Sequence, residues 1–201
     1  MMKMLLASAY VFCIWTTQGQ TLTKDERKFV IDMLEENSKK FLSDVEKISE
    51  TQWNYKPSPD KWSVAEVAEH ITLSETLFLS IAQRALKSPA DSEKANALQG
   101  KENAVVERLK DRAQKSQAPE SLRPVGTFAT KKELIEAFKI AREKTTNYVK
   151  TTHHPLKNHI VSHPLFGDLT PYQWLVMIPA HANRHVAQLE EVKAMKNFPS
   201  E

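Results

Sequence analysis

Residues 170–192 read TPYQWLVMIPAHANRHVAQLEEV, and the rest of the chain is best understood outward from them. Thr170 followed three positions later by Gln173 is a capping box, a reciprocal side-chain arrangement that opens a helix. Pro171 takes the first helical position, where its missing N–H costs nothing. Trp174, Ile178, Leu189 and Val192 then recur at helical spacing along one face. Where that stripe calls for two more apolar residues it carries His181 and His185. Four residues apart, these imidazoles stand one turn apart on the inward face. A buried imidazole without a partner costs free energy, so each must be hydrogen-bonded or must ligate something. Two imidazoles at this spacing suit one metal ion, with Zn–N distances of ~2.0–2.1 Å. Core histidines bonded to backbone or to polar neighbours are the alternative.

Three other segments open with the same signal: Thr23 with Glu26, Ser63 with Glu66, and Thr130 with Glu133. Their apolar stripes are Val30, Leu34, Phe41, Val45 and Ile48; Val64, Val67, Ile71, Phe78 and Ile81; and Leu134, Phe138, Ala141 and Tyr148. The spacing predicts an all-α fold: a four-helix bundle with a long crossover connection over 88–129, containing an accessory helix over 93–115. Residues 53–61, with Pro57 and Pro59, are expected as a turn. Residues 153–169, with Pro155, Pro164 and Gly167, are expected as a loop.

The second of these helices supplies a third imidazole. His70 stands three residues after Val67 and beside Ile71, at the edge of the buried stripe. Three histidines from two facing helices would leave a coordination position open, which separates a catalytic metal site from a closed structural one. Imidazole ligands suit Zn first, with Ni, Cu, Fe or Mn as alternatives set by supply in the compartment. Four neighbours are candidates for the surrounding shell. Glu66 could orient His70, or serve only as the partner in its cap. Gln188 could bond a water on the metal, or bond to backbone. Arg184 could bind an anionic substrate, or stand solvated. Asn37 interrupts the first stripe, and a buried amide needs partners; it faces either the metal cavity or a structural hydrogen bond. Trp62 is a packing anchor or a pocket wall. His153, His154, His159 and His163 surround the proline-containing loop but share no face, which weighs against a second metal site.

Composition excludes several other chemistries. The 201 residues suit one domain, and only 4 glycines leave no room for a glycine-rich phosphate loop. The 28 basic and 25 acidic residues are mixed along the chain, so no basic face for nucleic acid is expected. At the N-terminus, Lys3 precedes an uncharged apolar run over 4–15 and a polar stretch over 16–20. This pattern predicts a secretory signal peptide over 1–19, and a mature domain over 20–201, exported to the periplasm or beyond. The apolar run falls short of the ~20 residues a membrane span needs, although an uncleaved anchor is the competing reading. Cys13, the single cysteine, falls inside that segment, so disulfides, thiolate ligands and cysteine nucleophiles are not expected in the mature protein.

Three stretches resemble the DinB/YfiT-like superfamily. The segment 62–70, Trp-Ser-Val-Ala-Glu-Val-Ala-Glu-His, together with Pro57-Ser-Pro-Asp-Lys61 before it, is similar to the second-helix motif of that family. His163-Pro-Leu-Phe-Gly167 resembles the loop before its last helix. His181-Ala-Asn-Arg-His-Val-Ala-Gln188 resembles its closing motif, with Asn183 where an aromatic is common. The resemblance covers essentially the whole chain after residue 20. It implies a four-helix bundle and one divalent ion held by His70, His181 and His185. Some members of the family transfer or isomerise with thiol cofactors, so a site is implied but not a substrate.

The expected function is that of an exported, metal-dependent hydrolase or group transferase acting on a small molecule of unknown identity. Export weakens the thiol version, since such thiols are mainly cytosolic, and leaves water as the simplest nucleophile. A metal-containing module that binds a ligand without turnover is the alternative, and a metal-free interaction bundle is a third.

Overall fold

Hydroxyl caps set the starts of the long helices. The computed structural model of the chain describes residues 21–113 and 116–200. In it Thr23, Ser63 and Thr170 each accept the backbone N–H three residues on, and Glu26, Glu66 and Gln173 return the bond. These boxes begin α1 (Lys24–Val45), α3 (Val64–Ala85) and α7 (Pro171–Lys193). At α6 (Lys131–Thr151) only half of the expected box forms. Thr130 accepts from Glu133, but the Glu133 carboxylate takes the N–H of Ala129. A further complete box, Ser49 with Gln52, opens the short α2 (Glu50–Asn54), which takes up residues 53 and 54 of the expected turn.

The four long helices form the bundle. α1 and α3 hold opposite corners, and each packs against both α6 and α7. The core has two apolar layers. One gathers Val30, Leu34, Phe78, Leu175 and Ile178; the other gathers Phe41, Val67, Phe138, Val186 and Leu189. Each such side chain, fully removed from water, contributes roughly 1.5–3 kcal/mol.

Three expectations need correction. The accessory helix over 93–115 is two pieces, α4 (Ser92–Asn96) and α5 (Glu102–Lys110). Gly100 breaks it with φ 77°, a backbone state that costs glycine nothing and other residues much. The loop over 153–169 contains an antiparallel hairpin of β1 (Val161–His163) and β2 (Gly167–Leu169). The third stripe is also displaced: Ala141 and Tyr148 are half-buried, and the buried face runs Leu134, Ile135, Phe138, Arg142, Thr145 and Val149.

Arg142 belongs inside because a polar network receives it. Its guanidinium donates to both oxygens of Glu75 at 3.0 and 2.8 Å, to the Leu34 carbonyl at 2.6 Å and to Asn37 Oδ1 at 2.9 Å. Asn37 Nδ2 in turn donates to Asn183 Oδ1 at 2.7 Å. The chain Glu75–Arg142–Asn37–Asn183 therefore takes one residue from each long helix. Among the described residues no helix is long and apolar enough to cross a membrane. The expected signal segment over 1–19 lies outside the described residues.

Candidate metal centre

α3 and α7 meet along the faces that carry the three histidines. The ring centroids of His70 and His185 are 4.5 Å apart, those of His181 and His185 4.5 Å, and those of His70 and His181 5.1 Å. One ring nitrogen from each lies within 4.8 Å of the others, so the group could hold a metal ion. Among the described residues no other set of three or more His, Cys, Asp or Glu converges this way.

Hydrogen bonds orient two of the rings. His70 Nδ1 lies 2.8 Å from the Leu122 carbonyl, and a carbonyl can only accept. Its proton must then sit on Nδ1, leaving the Nε2 lone pair bare. Gln188 Oε1 does the same for His185 Nδ1 at 2.9 Å, with the amide oriented to accept. Nε2 of His185 stands 3.2 Å from Nε2 of His181. Two lone pairs at that distance repel unless a proton or a cation lies between them. Two nitrogens bound tetrahedrally at ~2.0–2.1 Å would be about 3.3–3.4 Å apart, so the spacing fits a shared ion.

The crossover between α5 and α6 holds this arrangement from outside. Besides the Leu122 carbonyl on His70, the neighbouring Glu69 carboxylate accepts the N–H groups of Val125, Gly126 and Thr127 and the Thr127 hydroxyl. Burial alone would raise the Glu69 carboxyl, but these bonds outweigh it and hold it below the usual range. Arg112 reaches from the same connection to the Arg184 carbonyl at 2.7 Å and to Glu191. Aromatic rings flank the group on two sides. Trp62 lies 4.9 Å from His70 and 6.4 Å from His185, and Phe78 lies 5.1 Å from His181.

Each candidate neighbour of the histidines is placed by the structure. Glu66 does not touch His70; it closes the α3 cap and pairs with Lys56 at 2.7 Å. Its reach back to the first turn holds it away from a ring one turn on. Gln188 bonds to an imidazole, neither to backbone nor to a free corner of the site. Asn37 serves the buried network. Arg184 donates to the carbonyls of Leu109 and Asp111 at the end of α5, which places it on protein backbone. Trp62 is a wall of the site. The remaining histidines do not join the cluster: His154 stacks on Tyr148, His159 is buried in its loop with Nδ1 unpaired, and His163 accepts the N–H groups of Leu165 and Phe166 in the hairpin turn and packs on Trp174. Glu69 and Leu122 escape sequence reasoning, since one reads as a solvated charge and the other acts through its backbone.

Burial drives all three imidazoles toward the neutral form. It lowers His70, against the pull of the Leu122 bond. It lowers His181 well below the ordinary value, helped by His185 and His70. It lowers His185 to about 3, helped by His70. The sign for stability follows. The unfolded chain takes up protons at these positions as pH falls through ~6.5, whereas the metal-free fold does not until lower pH. The metal-free protein is therefore expected to be fully stable above that value and to weaken as pH falls below it. Urea midpoints at pH 7.5 and 5.5 measure this, and equal midpoints would contradict neutral buried rings.

Comparison with known proteins agrees with this architecture. The family model of the DinB superfamily matches residues 33–189. YuaE of Bacillus subtilis (strain 168), an uncharacterised protein, is 27% identical over 151 residues, spanning 75% of this chain and 89% of its own. Among solved structures, YfiT of Bacillus subtilis superposes with a TM-score of 0.58 at 17% identity, over 86% of this chain and 89% of its own. It is described as a probable metal-dependent hydrolase with an unusual four-helix bundle topology. At that identity the likeness shows the fold.

Proposed function

This chain belongs to the DinB superfamily, and from that premise we propose that it is a metal-dependent hydrolase of a small molecule, with one divalent ion, Zn before Ni, Fe or Mn, held by His70, His181 and His185. The observation that carries the reading is the convergence of one ring nitrogen from each histidine within 4.8 Å of the others, with Nδ1 of His70 and of His185 already committed to carbonyl oxygens. With Nδ1 protonated on both His70 and His185, their Nε2 lone pairs remain available to a cation. A divalent ion there supplies a Lewis acid that polarises a substrate oxygen and favours deprotonation of water.

The chain's own residues do the rest. Leu122 and Gln188 fix two rings in the tautomer that presents Nε2. Trp62 and Phe78 exclude water from two sides of the rings. Three protein ligands leave a position for substrate, which supports turnover over a closed structural site.

Purified protein is expected to carry close to one equivalent of divalent metal by elemental analysis. Chelation should abolish hydrolysis of ester or amide test substrates, and the metal should restore it. Metal-free protein with full activity would end the hydrolase reading, and stoichiometric metal without turnover would favour a ligand-binding module. We further propose export through residues 1–19, supported by the Lys3 start and the uncharged run over 4–15. N-terminal sequencing should find a start near residue 20, and intact Met1 in a cytosolic fraction would rule export out.

A further inference from the structure

The three rings are not equally supported. His70 and His185 each hand their remote nitrogen to a protein acceptor, but Nδ1 of His181 has no hydrogen bond from any described residue. A ligating imidazole is ordinarily fixed by such a partner. The facing helix α3 carries a buried group that lacks a partner. Ser74 is 2% exposed, and its hydroxyl is buried with no partner.

Position links the two. His70, Ser74 and Phe78 succeed one another at four-residue intervals, so they share one face of α3. The His181 ring lies 5.1 Å from the His70 ring and 5.1 Å from the Phe78 ring. It is bracketed by the first and third residues of that row, whose middle member is Ser74. The hydroxyl is also unusual for this protein. Ser38, Thr72, Thr145 and Thr151 each return their hydroxyl to the carbonyl four residues back, the common resort of a hydroxyl within a helix. Ser74 does not, and its oxygen stays unpaired.

We propose that Ser74 is the positioning residue for His181, its hydroxyl turning about χ1 to accept the Nδ1 proton when the site takes up its ion. The proposal rests on the metal reading of the three histidines. It accounts for a buried hydroxyl left unpaired at a cost in the metal-free fold, since the cost is recovered on binding. A serine reaches either side of its backbone by changing between staggered χ1 wells, so no helix movement is needed.

The test compares Zn²⁺ affinity with metal-free stability in Ser74→Ala, using a chromophoric chelator as competitor and urea unfolding. Loss of the acceptor should weaken Zn²⁺ binding roughly 10- to 100-fold. The urea midpoint of the metal-free variant should stay level or rise, because an unpaired hydroxyl has been replaced by a methyl group. Thr72→Val, which removes a buried hydroxyl already bonded on the same helix, should leave affinity unchanged. Wild-type affinity in Ser74→Ala overturns the proposal. So does an affinity loss that comes with an equal loss of metal-free stability, since that marks a packing role. If the wild-type protein takes up no Zn²⁺ and behaves like His181→Ala, the metal reading itself has failed, and this proposal falls with it.

Discussion

Replacing His181 with Ala is expected to remove the ion and leave the helices intact. The affinity should fall by more than the roughly 10- to 100-fold that the loss of an orienting partner costs, because a donor atom itself is gone. Two remaining imidazoles seldom hold a divalent ion against water. The fold should survive because its apolar layers and its capping boxes at α1, α3 and α7 do not involve this ring. His181 is the cleanest of the three to remove. His70 also anchors the crossover at Leu122, and His185 holds Gln188, so their loss disturbs neighbours as well as the donor set. His153→Ala and His154→Ala, at exposed positions, should retain full metal. Metal per chain by elemental analysis and helicity by circular dichroism decide it. A His181→Ala protein with one equivalent of ion would show that the ion, if any, lies elsewhere. A protein that unfolds would make the ion structural and leave the hydrolase reading without its main support.

What could be seen in the sequence follows from which signals are local. Caps are local, and four hydroxyl–acid or hydroxyl–amide pairs found the starts of all four long helices, with only the Glu133 half of one displaced to Ala129. The histidine pair was visible because two polar residues interrupt an apolar stripe in a helix otherwise deeply buried. Gly100 divides the accessory helix, but a weak stripe on either side gives no sequence signal for that division. The hairpin of three-residue strands is too short for alternation to register. The third helix failed differently. Spacing of three and four fits Ala141 and Tyr148 as well as it fits Arg142, Thr145 and Val149, and a charged residue is normally assigned to solvent. Its true face depends on Glu75, 67 residues earlier in the chain. Glu69 was hidden for the same reason: its partners lie 56 to 58 residues away, on a connection with no periodicity.

That buried network is also where a single substitution should do most damage to stability. Glu75 and Arg142 have side chains 1% and 7% exposed and meet at 2.8 Å. Glu75→Ala would leave a guanidinium inside the bundle without its counter-charge, and breaking a buried pair in this way costs ~3–5 kcal/mol. For a chain of this size each kcal/mol lowers Tm by roughly 2–4 °C, so a fall of about 10 °C is expected. Pairing it with Arg142→Met removes the stranded charge and fills most of its volume, so the double variant should regain much of the loss. It should not regain all, because Asn37 and the Leu34 carbonyl then lose their donor. A double-mutant cycle on metal-free protein by urea unfolding separates the two terms. If the single and double variants fall equally, the pair contributes nothing specific and the core there is held by its apolar contacts alone. Metal content gives a second reading on the same proteins. Asn183 stands between His181 and His185 and is tied through Asn37 to Arg142, so the network fixes how α7 presents its two rings. The double variant should therefore bind metal more weakly than wild type even where its stability has returned, and unchanged affinity would show that α7 is held in register without it.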